Sequence, residues 1–235
     1  MLFLRSCLFF IGQMLTAPIF TLIALLAWPL NPVTRNRLIS GWARSMICWL
    51  KITCNIRHEI TGLENMPDSA CIILAKHQST WETFAFQAIF PTQVYVLKRE
   101  LLWIPIFGWG LAMTSPIAIN RASGREALKQ LVTKGQARLA QGLWVVIFPE
   151  GTRIAPNQRG KYHIGGAWLA CHTQTPVLPV AHNAGSCWPK GFIKKPGLIK
   201  MHIGPPIQTT QLKADALNLQ VENWIEAEMQ VLNAA

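Results

Sequence analysis

The pattern of hydrophobic and polar positions divides the chain into two parts that meet near residue 58. Residues 7–34 contain no charged side chain and consist mostly of Leu, Ile, Phe, Ala, Met and Trp. As a helix, such a run is long enough to cross a hydrocarbon core of about 30 Å. From about residue 60, short runs typical of β-strands alternate with helical ones. The pattern therefore predicts a membrane-anchoring helical segment over residues 1–58 and one α/β domain over residues 59–235.

The apolar segment admits two arrangements in a membrane. Pro18 lies in its middle, where a proline removes one helical hydrogen bond and tends to kink or break the helix. A second, partly apolar stretch at 41–56 carries Arg44 and Lys51, which suits a helix in the headgroup region. A single spanning helix and a re-entrant pair of helices both fit this pattern. A cleaved signal peptide fits poorly, because the run is long and no small-residue cleavage site follows it.

Basic residues follow the apolar segment before any acidic residue occurs. They are Arg35, Arg37, Arg44, Lys51 and Arg57. Glu59 is the first acid in the chain. By the positive-inside rule, whatever follows the segment faces the cytoplasm. We therefore expect the protein at the inner (cytoplasmic) membrane, with residues 59–235 on the cytoplasmic face.

The second part of the chain has the alternation of an α/β domain. Strands are predicted at 71–75, 94–97, 116–119, 144–148, 177–181 and 199–203. Helices are predicted at 80–89, 124–140, 164–173 and 214–232, the last with an apolar stripe typical of core packing. Strands that alternate with helices predict a single domain with a mostly buried mixed sheet flanked by helices.

Composition and charge narrow the possible partners. Hydrophobic residues make up 51% and charged residues 14%, and the net charge is +11. Between Glu150 and Asp215 there is no acid, while Trp188 and Phe192 lie close to Lys194 and further lysines. Alone this stretch predicts a solvated basic face, but beside an apolar anchor it fits anionic membrane lipid. No nucleic-acid recognition motif accompanies the charge, so we expect no nucleic-acid partner.

A first candidate for chemistry is the sequence AKHQSTWE at 75–82, which joins a predicted strand to a predicted helix. If His77 lies in the loop and Glu82 in the first helical turn, the two side chains can meet. A carboxylate bonded to one imidazole nitrogen orients the ring, and the other nitrogen can then take a proton from a hydroxyl. Ser79 and Glu82 also match the S-x-x-E capping box, which explains Glu82 as a helix cap.

Further candidates follow other predicted strands. The sequence FPEGTR at 148–153 contains Gly151, which permits close backbone approach, the hydroxyl of Thr152, and Arg153, which can bind phosphate through two N–H groups. Lys98 and Arg121 could add positive charge near the same strand ends. Taken singly, these residues also fit a tight turn with surface cations.

Together these pieces resemble the glycerolipid acyltransferase family, which includes the bacterial lysophosphatidic acid acyltransferases. His77-x4-Glu82 resembles its His-x4-Asp motif, and 98–108 with 119–121 resembles its second block. The sequence FPEGTR matches its third block, and VLPV at 177–180 resembles its fourth. Three positions depart from the usual pattern. They are Glu82 in place of Asp, Lys76 in place of the Asn that often precedes the histidine, and Asn120 in place of the Asp that often precedes the arginine.

The resemblance implies an O-acyltransferase that acts on a membrane lipid. His77, oriented by Glu82, would deprotonate the sn-2 hydroxyl of lysophosphatidic acid (1-acyl-glycerol-3-phosphate). The alkoxide would attack the thioester of acyl-carrier protein or acyl-CoA and give phosphatidic acid for phospholipid synthesis. The substrate would be bound by Lys98, Arg121, Glu150, Gly151, Thr152 and Arg153. No cofactor is implied beyond the acyl donor. Six cysteines without a C-x-x-C pair likewise predict no metal site.

Two alternatives remain open at the level of sequence. The motifs do not separate lysophosphatidic acid from another lyso-lipid acceptor, such as a lyso-ornithine lipid. A protein of a different class, a basic membrane-surface binding protein without catalysis, would also account for the charge and the anchor. The sequence does not choose between the two acyl donors, nor does it set the preferred acyl-chain length.

Overall fold

The computed structural model describes residues 1–120 and 123–234. In that part of the chain the helices are α1 (Leu2–Leu26), α2 (Pro32–Cys54), α3 (Trp81–Ile89), α4 (Phe107–Met113), α5 (Arg125–Leu139), α6 (Gly165–Thr173), α7 (Ala184–Cys187) and α8 (Ala214–Ala234). The strands are β1 (Ile56–Thr61), β2 (Ile72–Ala75), β3 (Gln93–Lys98), β4 (Ile117–Ile119), β5 (Trp144–Ile147), β6 (Val177–His182) and β7 (Gly197–Ile203). Short 3₁₀-helices cover Leu63–Asn65 and Arg99–Trp103. Each predicted strand and helix of residues 59–235 is present, with ends that differ by one or two residues at most.

Within the described residues the strands form one sheet of seven, in the order β1-β7-β6-β2-β5-β3-β4. From β6 to β4 all neighbouring strands are parallel, whereas β7 runs antiparallel to β6 and pairs in parallel with β1. Every residue of β2 and β5 is buried, and both are continuous apolar runs, as parallel strands covered on both faces require. The predicted α/β class with a mixed sheet is confirmed.

Helices cover the sheet on both faces. Alternate residues of β2 point to opposite layers, with Ile73 in the core shared with α2 and α3, and Leu74 in the core shared with α5, α6 and α8. The apolar stripe predicted on α8 is buried at Leu217, Val221, Ile225, Met229 and Leu232. Burying each such side chain stabilises the fold by about 1.5–3 kcal/mol.

The N-terminal helices form an antiparallel hairpin. The indole N–H of Trp42 on α2 donates to the Thr16 hydroxyl on α1 at 2.9 Å. α1 continues unbroken through Pro18, so the proline neither breaks nor ends this helix. α2 begins nine residues before the predicted start at residue 41. The Asn31 side chain accepts from the Thr34 amide at 2.9 Å, and Pro32 occupies the first turn, which together start a helix there.

Besides the packing of α2 on α3, the hairpin contacts the α/β domain near the start of α1 and at α4. Near its start, the Ser6 hydroxyl of α1 accepts from the Lys194 amide at 2.9 Å. The Lys194 ammonium lies 4.8–5.2 Å from the ring centres of Phe9, Trp188 and Phe192. Lys194 and Trp188 are only 4% and 5% exposed, so these two residues belong neither to a solvated basic face nor to a surface facing lipid, the two interpretations that the sequence offered. The reason is that α1 covers them.

The second attachment is at α4, which the sequence does not predict. The Arg35 guanidinium of α2 is buried and donates to the Met113 carbonyl at 2.7 Å and to the Ser115 hydroxyl at 2.8 Å. The Thr21 hydroxyl of α1 donates to the Ile106 carbonyl at 3.3 Å. These polar contacts fix α4 and the residues before it against both helices of the hairpin.

Candidate active site

The site lies at the edge of the sheet where the parallel strands β2, β5, β3 and β4 have their carboxyl ends. His77 comes two residues after β2, and the loop at 148–153 follows β5 directly. Lys98 is the last residue of β3. Because neighbouring parallel strands end at the same edge of the sheet, the strand order places His77, the 148–153 loop and Lys98 at one edge. Arg121, a further predicted site residue, lies outside the described residues.

The imidazole of His77 is paired with the carboxylate of Glu82. Nδ1 of His77 lies 2.8 Å from Oε1 of Glu82, which is in the first turn of α3. The ring stacks on Phe148, with centroids 4.1 Å apart and an interplanar angle of 13°. Among the described residues no hydrogen-bond partner reaches Nε2 of His77, and 16% of the side chain is exposed. The dyad can therefore offer Nε2 to a hydroxyl group from outside.

Glu82 also caps its helix, and it does so with the same oxygen. Oε1 accepts from the amides of Gln78 at 3.0 Å and Ser79 at 2.8 Å. The Ser79 hydroxyl in turn accepts from the Trp81 amide at 3.0 Å, which completes a reciprocal capping pattern. The two interpretations of Glu82 are thus compatible, because one wholly buried oxygen meets both the loop amides and the imidazole.

The surroundings of Glu82 keep it ionised. Burial by itself raises the pKa of this carboxyl. The hydrogen bond and charge of His77 and the Ser79 amide oppose that effect, and the pKa of Glu82 lies below its ordinary value. An ionised Glu82 fixes Nδ1 of His77 as a donor, so that Nε2 is the basic nitrogen.

A second buried carboxylate holds the peptide that carries the histidine. Oε2 of Glu150 accepts from the His77 amide at 2.9 Å, and Oε1 accepts from the Lys76 ammonium at 2.7 Å. Glu150 is 3% exposed, and burial raises the pKa of its carboxyl although Lys76 opposes the shift. Both carboxylate oxygens are thus engaged by the protein, an arrangement that suits a residue that shapes the loop. The sequence-based assignment of Glu150 as a substrate contact stays a prediction.

Lys76 links this loop to the C-terminal helix. Its ammonium is 2.8 Å from Oε1 of Glu226 on α8, and the same oxygen accepts from the Tyr162 hydroxyl at 2.8 Å. Lys76 itself is 1% exposed. Sequence reasoning noticed Lys76 only as a departure from the family pattern, and it missed Glu226 and Tyr162. No local signal marks those two, because the contact joins residues 150 positions apart.

The predicted phosphate-binding residues lie at the rim of the site. Lys98 and Thr152 are exposed and Arg153 is half-buried. Across residues 1–120 and 123–234, neither Lys98 nor Arg153 makes an ion pair with a protein carboxylate. Gly151 has a φ of 67°, a left-handed conformation that favours glycine and turns the loop after Glu150. The two basic side chains are therefore available to an anion, and their binding role stays a prediction.

An apolar cavity of about 490 Å³ opens beside this loop. It lies between the ends of the strands and helices α5 and α6. Its wall includes Val96, Ile119, Leu128, Leu131, Ile147 and Phe148. Gly151 and Thr152 form part of its boundary, so an apolar space adjoins the polar rim of the site. The described residues contain no group of three His, Cys, Asp or Glu side chains that could hold a metal ion.

Comparison with known proteins identifies the family. A sequence profile of the acyltransferase family matches residues 57–183. A 1-acyl-sn-glycerol-3-phosphate acyltransferase from Pseudomonas aeruginosa is 44% identical over 232 residues, which are 96% of this chain and 90% of that protein. The chain belongs to the acyltransferase family. The resemblance drawn from four ordered motifs is confirmed, and so is the prediction that the protein is an acyltransferase enzyme.

Other relatives agree with this assignment. The 1-acyl-sn-glycerol-3-phosphate acyltransferase alpha of Bos taurus is 30% identical over 207 residues, covering 82% of this acyltransferase and 69% of that protein. The crystal structure of the 1-acyl-sn-glycerophosphate (LPA) acyltransferase PlsC from Thermotoga maritima superposes with a TM-score of 0.81 at 23% identity. It covers 99% of this chain and 96% of that one, so the fold, including the helical hairpin, is shared.

We expect Glu82→Gln to lower the turnover of this acyltransferase by about 10²-fold or more, because a neutral amide no longer stabilises the imidazolium of His77. It should also lower the free energy of unfolding by about 1–3 kcal/mol, since a charged acceptor of buried N–H groups is lost. Activity and denaturant unfolding of the two proteins in detergent measure both effects. Full turnover with reduced stability would leave Glu82 as a helix cap alone.

The stabilities of wild type and Glu82→Gln can also be compared as a function of pH. Because the pKa of Glu82 is lowered by folding, its contribution to stability is present above the ordinary glutamate pKa. That contribution is lost as the pH falls through the lowered, folded-state pKa. The stability gap between wild type and Glu82→Gln should therefore be constant near neutral pH and shrink in strong acid.

We expect Lys76→Met to destabilise the protein by about 3–5 kcal/mol, because it leaves Glu150 and Glu226 without their buried cation. The deficit should shrink as the pH falls, since protonation of Glu150, whose pKa burial already raises, removes an unpaired charge. Arg159→Met is the matched control. Arg159 also pairs with an α8 glutamate, Glu222, but its side chain is 60% exposed, and water replaces the lost contact. Equal losses in the two variants would contradict the buried network.

Proposed function

We propose that this acyltransferase moves a fatty acyl chain from a thioester donor to the sn-2 hydroxyl of lysophosphatidic acid and so produces phosphatidic acid. The observation that carries the proposal is the His77–Glu82 dyad with its open Nε2, at the sheet edge that also presents Lys98 and Arg153. The names of the relatives support lysophosphatidic acid as the acceptor.

In the proposed mechanism the two substrates react directly with each other. Nε2 of His77 takes the proton of the acceptor hydroxyl, and the oxygen attacks the thioester carbonyl. The carbon–sulfur bond then breaks, the ester forms, and the proton on His77 passes to the departing thiolate. Glu82 stabilises the imidazolium between these steps. The nearby hydroxyl of Ser79 is wholly buried and accepts from the Trp81 amide, which supports direct attack over an acyl-serine intermediate.

Binding of the acceptor phosphate is assigned to Lys98, Arg121 and Arg153, with Gly151 and Thr152 in the adjoining turn. The Lys98 ammonium and the Arg153 guanidinium, which have no carboxylate partner within residues 1–120 and 123–234, suit a phosphate monoester. A lyso-ornithine lipid has no phosphate and would offer these cations a single carboxylate instead. The anionic donor, acyl-carrier protein or acyl-CoA, suits a chain of net charge +11, and the proposal needs no further cofactor.

The proposal places the helical hairpin in one leaflet of the inner membrane, with the site on the cytoplasmic face. In the described residues, α1 is the one helix that is long and apolar enough to cross a membrane. α2, which packs along it, carries exposed Arg44 and Lys51. If α1 crossed the bilayer, these charges would be carried towards the hydrocarbon, which is costly. A re-entrant hairpin keeps them among the headgroups.

The test is acyl transfer by the purified full chain in lipid vesicles. Wild type should acylate lysophosphatidic acid, and His77→Ala should lose about 10²–10⁴-fold in rate because the base is gone. His172→Ala, at an exposed histidine on α6, is the control and should keep full activity. A His77→Ala enzyme at the wild-type rate would remove the proposed base.

Acceptor and donor are compared in the same assay. Lysophosphatidic acid and a lyso-ornithine lipid are offered with acyl-carrier protein and CoA thioesters of equal chain length. Faster acylation of the lyso-ornithine lipid would overturn the assignment of the phosphate site. Transfer to neither acceptor from either donor would overturn the proposed reaction.

A further inference from the structure

The segment directly after β3 exposes a dense set of large apolar side chains. Within residues 101–109 these are Leu101, Trp103, Ile104, Ile106, Phe107 and Trp109. Trp103 is 66% exposed and Trp109 is 52% exposed. Soluble surfaces rarely carry so many adjacent exposed apolar groups, and such a patch marks a binding surface. This segment is separate from the hairpin to which membrane attachment was assigned above.

The segment adjoins the apolar surface of α1. The Thr21 hydroxyl of α1 bonds the Ile106 carbonyl, and Gly110 packs so closely on Thr21 that a Cβ there would lie 2.8 Å from its hydroxyl. On the same helix, Leu22 and Leu26 are 58% and 73% exposed. The two apolar surfaces are thus neighbours, held together by packing of α4 on α1.

The border of the segment has the chemistry of a headgroup region. The Arg99 guanidinium lies 5.6 Å from the ring centre of Trp103, and Lys98 next to it is exposed. Tryptophan and basic residues at the edge of an apolar surface are typical of a membrane–water interface. A protein partner would have to cover both this patch and the long exposed face of α1, whereas a bilayer covers both at once.

We propose that residues 101–109 insert into the bilayer beside α1 and form a second membrane contact of the enzyme. Lys98, the predicted phosphate ligand, stands at the border of this contact. A lipid acceptor could then reach the site from the membrane surface with its phosphate at Lys98 and its acyl chain still among lipids. This role in substrate access rests on the proposed function, but the insertion itself does not.

Photocrosslinking in anionic vesicles of phosphatidylglycerol and phosphatidylethanolamine tests the contact without turnover. Benzoylphenylalanine is introduced in the full chain as Trp103→benzoylphenylalanine and as Leu15→benzoylphenylalanine on α1. Leu219→benzoylphenylalanine, at an exposed apolar position of α8, is the matched control. We expect lipid adducts at 103 and at 15, and none above background at 219.

Each other outcome overturns the proposal. Adducts at 15 but not at 103 would show that the hairpin alone meets lipid. Adducts of 103 with a second copy of the chain would make the patch a dimer contact. Failure at both positions would overturn the hairpin placement as well, while acyl transfer to lysophosphatidic acid is scored separately.

A kinetic consequence follows for the acceptor. Trp103→Glu should lower the rate on vesicle-borne lysophosphatidic acid by about tenfold or more, the loss expected when a large apolar group no longer enters the lipid. The rate on a short-chain, water-soluble lysophosphatidic acid should be unchanged. Equal losses on both acceptors would assign the effect to the site itself and contradict the membrane contact.

His182, the last residue of β6, is wholly buried. Its Nε2 donates to the Lys76 carbonyl at 2.9 Å, and its Nδ1 accepts from the Ala184 amide at 3.3 Å. Burial lowers the pKa of His182, so the ring is neutral, as this pair of hydrogen bonds requires. Nε2 is also 4.0 Å from Oε2 of Glu82, an oxygen without a hydrogen-bond partner in the described residues.

The hydrogen bond to Lys76 has a direct bearing on the dyad. The Lys76 carbonyl and the His77 amide belong to one peptide group, and that amide donates to Glu150 at 2.9 Å. The group is therefore held at its oxygen by His182 and at its nitrogen by Glu150. On either side, the Lys76 amide donates to Val180 and the His77 carbonyl accepts from the Ile154 amide.

From this geometry we infer that His182 is a positioning residue for the reaction. It holds the peptide from which the His77 side chain extends, so that Nδ1 stays in reach of Glu82 while Nε2 points to the acceptor. Small displacements of a catalytic group are costly, since a shift of about 1 Å can reduce a rate by about 10²-fold. His182 acts through this peptide group and does not touch substrate.

The test compares His182→Leu with His182→Gln, whose amide can still donate to the Lys76 carbonyl. We expect His182→Leu to lower kcat by about tenfold or more, with KM for lysophosphatidic acid unchanged, and His182→Gln to recover most of kcat. His202→Leu removes a partly exposed histidine bonded to Glu228 and should leave kcat intact. Rates are expressed per folded enzyme, from thermal unfolding of each variant. Wild-type kcat in His182→Leu, or no recovery in His182→Gln, would overturn the assignment.

Discussion

The site depends on one buried carboxylate oxygen that accepts three N–H groups at once. Oε1 of Glu82 meets the imidazole of His77 and the amides of Gln78 and Ser79, all within 3.0 Å. Removing a carboxylate from water is expensive, and only donors arranged around the charge can offset that cost. Here the donors come from the loop itself. The hydrogen bonds that keep Glu82 ionised therefore also hold the loop in its conformation. The loop in turn sets the direction of the His77 ring.

The strand order brings residues that are distant in sequence into contact with the His77 loop. β2 pairs with β5, so the loop after β5 lies next to the loop after β2, and Glu150 can reach the His77 amide. β2 pairs on its other side with β6, whose last residue, His182, reaches the Lys76 carbonyl. One peptide group is thus fixed by His182, at the end of β6, and by Glu150, in the loop after β5. A change of strand order would leave the His77–Glu82 contact possible but would remove both of these supports.

The sequence predicts those parts of the molecule whose causes are local. Continuous apolar runs identify β2 and β5. The contact of His77 with Glu82 can be predicted because the two residues are close in sequence, one in the predicted loop and the other in the first turn of the predicted helix. β1 was missed because an edge strand with mostly exposed Arg57, His58 and Glu59 lacks an apolar run. The burial of Lys194 and the contact of Lys76 with Glu226 were missed because they depend on helices that are distant in sequence.

Lys76 stands where the family often has an asparagine, and its contact with Glu226 on the C-terminal helix α8 explains the difference. An asparagine there would have no charge to offer, and Glu150 and Glu226 would face the same buried region as two carboxylates without a cation. Lys76 meets both, at 2.7 and 2.8 Å, and the Tyr162 hydroxyl satisfies Glu226 further. The Lys76 carbonyl also accepts from His182, so the residue whose side chain neutralises two acids belongs to the peptide group that carries His77. The identity of residue 76 is therefore linked to Glu226 on α8, and Glu150 connects the Lys76 ammonium to the His77 amide.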